Sequence, residues 1–366
     1  MRLGVEAALV RGALVPGDVE VEDGRIAAVG LGPARGGRVA VPGFVDLQVN
    51  GSGGVDFLSA STADYARAGE ALLLGGVTAY QPTFITSPEA TLLEALRALP
   101  ASGPGPRVLG AHVEGPFLSP ERPGTHPRSH LREPDLALLE RILDAGRVTQ
   151  MTLAPELPGA DALVARLLER GVVVSAGHTN ATAEEARRAF DLGVSGVTHV
   201  FNAMRPFRSR DPGVAAVALT RADVVVGVVV DGHHLAEETV RLIWACARGR
   251  VALVTDAIAA AGAGGGAYRL GEVEVEVAQG AAPMREDGTL AGTVLTMIDA
   301  VRNLHALGVP FEDAVGAATE VPARFLGRDD VGVLEPGAAA DVVLLDDRLE
   351  IAGVVCAGEA GVVARG

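Results

Sequence analysis

From Val41 to Asp256 the chain keeps returning to one pattern, a short apolar run followed by a stretch of helical spacing. Residues 171–204, GVVVSAGHTNATAEEARRAFDLGVSGVTHVFNAM, show it most fully. Val172, Val173 and Val174 read as a buried strand that ends in Ser175-Ala176-Gly177-His178. Asn180 or Thr182 can then cap a helix. Glu184 and Glu185 fall in its first turn, Ala186, Ala189 and Phe190 lie on one face, and Gly193 stops it. A second strand, Val194 to Thr198, ends in His199. Neighbouring parallel strands lie about 4.8 Å apart, so imidazoles at adjacent strand ends can reach a single ion.

Eight such strands can be counted, ending near Asn50, Phe84, Glu114, Glu156, His178, His199, Asp231 and Asp256. Helical stretches at Ser87–Leu99, Glu133–Ala145, Gly159–Glu169 and Ala236–Ala247 separate several of them. Eight βα units in about 250 residues is the size of a closed barrel, and the regular repetition favours closure over an open doubly wound sheet. Residues 1–42 instead alternate apolar and polar positions, with turns at Pro16-Gly17 and Glu22-Asp23-Gly24, and residues 334–366 return to short β runs. The expected fold class is therefore α/β: a (β/α)8 TIM-like barrel over 43–333, with a small β-sandwich domain formed by 1–42 and 334–366. The Gly-rich, then Glu/Val-alternating residues 262–288 read as an insertion after the eighth strand, with helices resuming at Val294–Leu307 and Phe311–Leu326.

Barrels keep their active sites at the strand C-terminal ends. Among the eight ends, Glu114, His178, His199, Asp231 and Asp256 are the groups read as able to bind metal or move protons. One carboxylate and two imidazoles, Glu114, His178 and His199, form a three-ligand set for Zn²⁺ or a similar divalent ion, with a fourth position left for water. Such an ion makes water a nucleophile and polarises a carbonyl, and a free carboxylate is then needed as base and later as acid; Asp256 suits that role. The chain has no lysine, which excludes Schiff-base chemistry and any bridging modified lysine. Two cysteines, Cys246 and Cys356, argue against a disulfide framework or a thiolate cluster. A net charge of −15 argues against nucleic acid and acidic membrane as partners, and no apolar run approaches the length of a membrane span. With no signal-peptide pattern at the start, a cytoplasmic location is expected.

A wider set of segments carries a resemblance. PGFVDLQVNGSGGVDF at 42–57, HVEGPF at 112–117, PGTHP at 123–127, LAPE at 153–156 and SAGHTNAT at 175–182 are followed by THVFNAM at 198–204 and RDPG at 210–213. DGHH at 231–234, LVTDA at 253–257 and GTLAGTVLTM at 288–297 complete it. In this order they resemble the N-acetylglucosamine-6-phosphate deacetylases, a family of the metal-dependent amidohydrolase superfamily, nearly end to end. The resemblance implies removal of the acetyl group from N-acetylglucosamine 6-phosphate. It implies one divalent ion per subunit, zinc first and iron, cobalt or manganese as alternatives, on Glu114, His178 and His199. Asp256 is implied as catalytic acid/base and His126, beside Thr125, as a histidine at the scissile carbonyl. Asn202, Ala203, Arg210, His234 and Leu290-Ala291-Gly292 match the sugar-phosphate contacts. His233, His112, His130 and His305 are expected to be structural or exposed. Many superfamily members end the first strand in His-x-His and bind a second metal; here the strand ends Gln48-Val49-Asn50, and amides are poor zinc ligands, so one tightly bound ion is expected. The Arg-rich loop Pro206–Pro212 could project into a neighbouring subunit, which implies a homodimer. The competing readings are another mononuclear amidohydrolase acting on a cyclic amide or nucleobase, which would not need Arg210 or His234, and a non-catalytic relative, which would have lost ligands.

Overall fold

The computed structural model describes residues 1–32, 36–101, 105–278, 281–357 and 359–362. Eight parallel strands form a nearly closed barrel: β1 (Phe44–Val49), β2 (Val77–Ile85), β3 (Ala111–Glu114), β4 (Val148–Leu153), β5 (Val173–Ala176), β6 (Gly196–Val197), β7 (Val225–Val228) and β8 (Val251–Leu253). Every residue of β1 and β2 is buried, as expected for strands covered on both faces. β2 contains Pro82, which cannot donate to a ladder. It sits where the pairing with the third strand is broken, between Ala79–Tyr80 facing Arg107–Val108 and Thr83–Ile85 facing His112–Glu114.

No continuous ladder joins β8 to β1 among the described residues; local hydrogen bonds close the barrel instead. Asp256 N donates to Gln48 O at 2.8 Å and Asn50 N to Ala257 O at 2.7 Å. The buried carboxylate of Asp46 fills the rest of the seam, accepting from Thr255 Oγ1 at 2.6 Å and from the amides of Gln48 and Thr255. Burial, opposed by these hydrogen bonds, pushes the Asp46 carboxyl up to about 7.

The helices fall close to their expected places, at Glu89–Ala98, Leu136–Ala145, Ala160–Glu169, Ala183–Asp191 and Glu237–Ala247. Thr182, rather than Asn180, is the cap before Ala183, in a reciprocal capping box with Glu185. The stretch expected as one helix over Phe311–Leu326 is two, Phe311–Ala317 and Glu320–Phe325. Pro322 is the reason: its ring clashes with the carbonyl four residues back, Ala318. That carbonyl accepts Val45 N of β1 at 2.8 Å instead. Two strands stop earlier than their expected ends. β4 stops at Leu153, which puts Glu156 in a turn, and β7 stops at Val228, three residues before Asp231.

The chain ends share one six-stranded sheet, in the order Ala13–Pro16, Ala7–Val10, Val39–Pro42, Val342–Leu345, Ile351–Cys356, Glu359–Val362. A hairpin, Asp18–Glu22 with Arg25–Leu31, lies across it; Val19, Val21 and Ile26 pack on Ala8, Ala40 and Val342 in a core separate from the barrel's. The insertion is a hairpin, Gly266–Leu270 with Val273–Val277, whose Val273, Val275 and Val277 are buried while Glu274 and Glu276 are exposed. No helix among the described residues is long and apolar enough to cross a membrane.

Candidate metal centre

His178, His199 and Asp256 all sit just beyond a strand end with left-handed backbone, φ +46°, +30° and +49°. For residues with a Cβ this costs about 1 kcal/mol or more each. The surrounding loops hold them there. Glu156 accepts Thr179 Oγ1 at 2.5 Å and Asn180 N at 2.6 Å, which pins the turn after His178. Gly124 lies flat on the His178 ring: a Cβ there would stand 3.0 Å from His178 Cε1. His178 Nδ1 lies 3.1 Å from Arg122 O, a group that can only accept, so Nδ1 carries the proton and Nε2 the lone pair.

That lone pair points at the centre of the site. Glu114 Oε1 is 3.0 Å from His178 Nε2 and 3.0 Å from His199 Nε2, and the two nitrogens are 3.1 Å apart. A tetrahedral ion with bonds of about 2.0–2.1 Å sets its ligand atoms about 3.3 Å apart. The three buried groups therefore fit one divalent cation in both donor type and spacing. Burial opposes ionisation of Glu114, yet the two imidazoles hold its pKa well below the usual carboxylate range. Desolvation likewise works against charge on His199, and Glu114 more than offsets it.

Beneath these ligands the barrel interior is polar. His112 bridges Thr83 Oγ1 at 3.2 Å and Thr152 Oγ1 at 2.7 Å, and Thr152 continues to Thr198 Oγ1 at 2.7 Å. Burial drives the His112 pKa down to about 4, so it is neutral and can donate on one nitrogen while accepting on the other. His112 is thus structural, as expected.

Asp256 is buried beside the ligands. Its Oδ1 accepts from Asn50 Nδ2 at 2.8 Å and Gln48 Nε2 at 3.1 Å. Burial first, and the Glu114 charge second, raise its pKa. On the opposite wall His126 Nε2 stands 3.9 Å from Glu114 Oε1. Thr86 N, which can only donate, meets His126 Nδ1 at 3.3 Å, with Thr86 Oγ1 at 2.9 Å. The His126 proton is therefore on Nε2, aimed at the site, and burial holds the ring well below its ordinary pKa, hence neutral.

A cavity of about 360 Å³ opens over these groups. It brings together Glu114, His178, His199, Asp256, Thr125, His126, Asn202, Ala203, His234, Leu290 and Gly292, with Ala291 buried behind them. Residues 290–293 reach the mouth because Thr293 N binds Asp256 O at 2.9 Å and Thr293 Oγ1 binds Thr255 O at 2.7 Å. Asp231, counted from the sequence among the groups of the mouth, is absent from the cavity wall. It pairs with His234 Nδ1 at 2.7 Å and accepts the amides of His233 and His234. Burial resists its ionisation, but these donors outweigh it and bring the carboxyl to about 2. Asp231 therefore orients His234. Arg210 does not reach this cavity: it is exposed on a tight loop closed by the Arg205–Asp211 ion pair and by reciprocal Arg208–Asp211 backbone bonds. Sequence reasoning missed Thr86 and Arg122, which act through a neighbour's ring and carry no motif, and gave Glu156 no role.

A barrel with a buried Glu114–His178–His199 group that could hold a metal ion, and a carboxylate beside it, is the arrangement of an amidohydrolase-type hydrolase. The pattern of the amidohydrolase family matches residues 39–361. Human N-acetylglucosamine-6-phosphate deacetylase is 39% identical over 345 residues, 88% of this chain and 83% of that protein. N-acetylgalactosamine-6-phosphate deacetylase of Escherichia coli O157:H7 is 34% identical, covering 93% of each. Among solved structures, N-acetylglucosamine-6-phosphate deacetylase of Thermotoga maritima superposes with a TM-score of 0.93 at 32% identity over all of both chains. A mutant of the Mycobacterium smegmatis enzyme in complex with N-acetyl-D-glucosamine-6-phosphate gives 0.94 at 36%, over 99% of each. The chain belongs to the N-acetylglucosamine-6-phosphate deacetylase family of amidohydrolases.

Proposed function

We propose that this enzyme hydrolyses N-acetylglucosamine 6-phosphate to glucosamine 6-phosphate and acetate. The observation that carries the reading is the meeting of Glu114 Oε1, His178 Nε2 and His199 Nε2 within 3.0–3.1 Å of one another beside buried Asp256. Glu114, His178 and His199 would hold one divalent ion, zinc being the best match to one carboxylate and two imidazoles. Such an ion would supply Lewis acidity toward the amide carbonyl and lower the pKa of water. Asp256 takes one proton from the attacking water and delivers it to the amide nitrogen as the C–N bond breaks; the water's second proton leaves on the new carboxyl group, which ionises to acetate as the amine takes up a proton. Neutral His126 donates its Nε2–H to the carbonyl oxygen as negative charge develops there.

The sugar lies toward Thr125, Asn202, Ala203 and the segment Leu290-Ala291-Gly292, and His234, oriented by Asp231, meets the phosphate. Arg210 completes the phosphate site from a second copy of the chain. Its exposed loop, with Phe207 58% exposed at the tip, supports that reading and with it a homodimer. A phosphorylated sugar does not cross membranes unaided, which supports a cytoplasmic location. The test is acetate release by purified protein from N-acetylglucosamine 6-phosphate and from the unphosphorylated sugar, with metal analysis. Turnover of the phosphorylated sugar at one ion per chain is expected, and equal rates on both sugars would sink the phosphate assignment.

A further inference from the structure

We propose that Gln48 and Asn50 are positioning residues that assign the two buried carboxylates their separate tasks, oxygen by oxygen. The proposal rests on the deacetylase reading above. Glu114 and Asp256 both lie within reach of one amide nitrogen, that of Gln48. Left alone, each could turn either oxygen toward the ion or the water. Gln48, 3% exposed, places its amide nitrogen between them, 3.4 Å from Glu114 Oε2 and 3.1 Å from Asp256 Oδ1. Both neighbours are acceptors, so the nitrogen and not the oxygen of Gln48 must face them, with one hydrogen for each. Asn50, 2% exposed, gives a second donor to the same Asp256 Oδ1 at 2.8 Å.

The consequences are specific. Glu114 Oε2 is held, which leaves Oε1 to the two imidazoles. Asp256 Oδ1 holds two donors, which leaves Oδ2, without a protein donor among the described residues, as the atom that moves the proton. The amide nitrogens are spent as donors, so only the amide oxygens could meet a metal, and neutral amide oxygens are poor zinc ligands beside imidazole and carboxylate. The backbone fixes the arrangement: Gln48 O accepts Asp256 N at 2.8 Å, and Asn50 N donates to Ala257 O at 2.7 Å. The Asn50 amide cannot flip, because that would set its oxygen against Asp256 Oδ1. Asn50 Oδ1 is consequently buried and without a partner in the cavity wall, an acceptor available to a proton donor at the reacting centre.

The test uses Gln48→Met and Asn50→Leu, which keep approximate volume and remove the donors. Outer-shell partners of this kind are worth about 10–100-fold. For Asn50→Leu, kcat should fall about 10–100-fold, with KM and ion affinity, read by chelator competition, within about threefold of the parent. For Gln48→Met the same loss in kcat should come with an ion held about 10–100-fold more weakly, because Glu114 Oε2 has lost its donor. A merely structural role would move the melting temperature and not split kcat from KM. If either variant fails to fold, Gln48→Leu and Asn50→Ala, which also remove the donors without adding a charge or a metal ligand, carry the same expectations. Unchanged kcat in both variants overturns the proposal, and so does loss of the ion from the Asn50 variant, which would make that residue a ligand. Absence of acetate release by the parent would refute the activity itself and leave the ion-affinity difference to decide the role of Gln48.

Discussion

Replacing Asp256 by asparagine separates the proton-moving role from everything else the residue does. Its Oδ1 accepts from Gln48 and Asn50, and an asparagine Oδ1 can accept the same two bonds. Its backbone is left-handed at φ +49°, a conformation asparagine adopts readily. The substitution also removes a buried charge beside Glu114, so the protein should be no less stable and should keep its ion. What is lost is a base for water and an acid for the leaving nitrogen. General acid–base help is worth about 10²–10⁴-fold, and one group acts in both steps here, so kcat should fall about 10³–10⁴-fold, or about 4–5.5 kcal/mol in the barrier. The assay is acetate release under saturating sugar phosphate, with metal content and melting temperature on the same preparation. A folded variant with one ion and kcat within tenfold of the parent would remove Asp256 from the mechanism; a variant that had lost its ion would make Asp256 a ligand instead.

Glu114→Ala, His178→Ala and His199→Ala should each lose both ion and turnover, and chelation of the parent should abolish activity until a divalent ion is restored; metal analysis beside activity checks both. Arg210→Ala should lower kcat/KM on the phosphorylated sugar by about 10²-fold or more, since charge-assisted contacts to phosphate are strong, and leave slow hydrolysis of the unphosphorylated sugar within about twofold. Equal loss on both sugars would assign Arg210 to the fold or to a subunit contact. Asp46 gives a pH dependence of stability. Its carboxyl is raised to about 7 in the folded state, so the native protein holds a proton that the unfolded chain has released between about pH 4 and 7. Its contribution is therefore fully present below the unfolded pKa and declines as pH rises toward 7, by at most about 1.4 kcal/mol per pH unit. Asp46→Asn should accordingly gain in melting temperature relative to the parent at pH 8 and lose that advantage at pH 5; a constant difference across the range would contradict the raised pKa.

The barrel was legible because its strands are buried on both faces and therefore read as continuous apolar runs, with helices of clear period between them. The ends of those runs were less legible, for a reason visible at β6. That strand keeps only Gly196 and Val197 in the ladder; Gly196 packs directly under Phe325, where a Cβ would stand 2.4 Å from the ring, and His199 just beyond is left-handed and meets Glu114. These are contacts with distant parts of the chain that no local window contains. That Glu114, His178 and His199 come together as a group able to hold a metal could be expected because metal chemistry restricts residue type: two imidazoles and a carboxylate at strand ends have few other uses. Gln48 and Asn50 could be read only as departures from a His-x-His pattern, since an amide declares neither donor nor acceptor until its neighbours are known. Asp231 illustrates the opposite error. As a residue near a strand end it looks like Asp256, yet β7 ends three residues earlier, the chain has already turned, and the carboxylate is used on the His234 imidazole. Arg210 marks the limit of a motif read from one chain: its loop, closed by the Arg205–Asp211 pair, is exposed, and its side chain does not line the cavity of its own barrel, a placement that position in the sequence does not reveal.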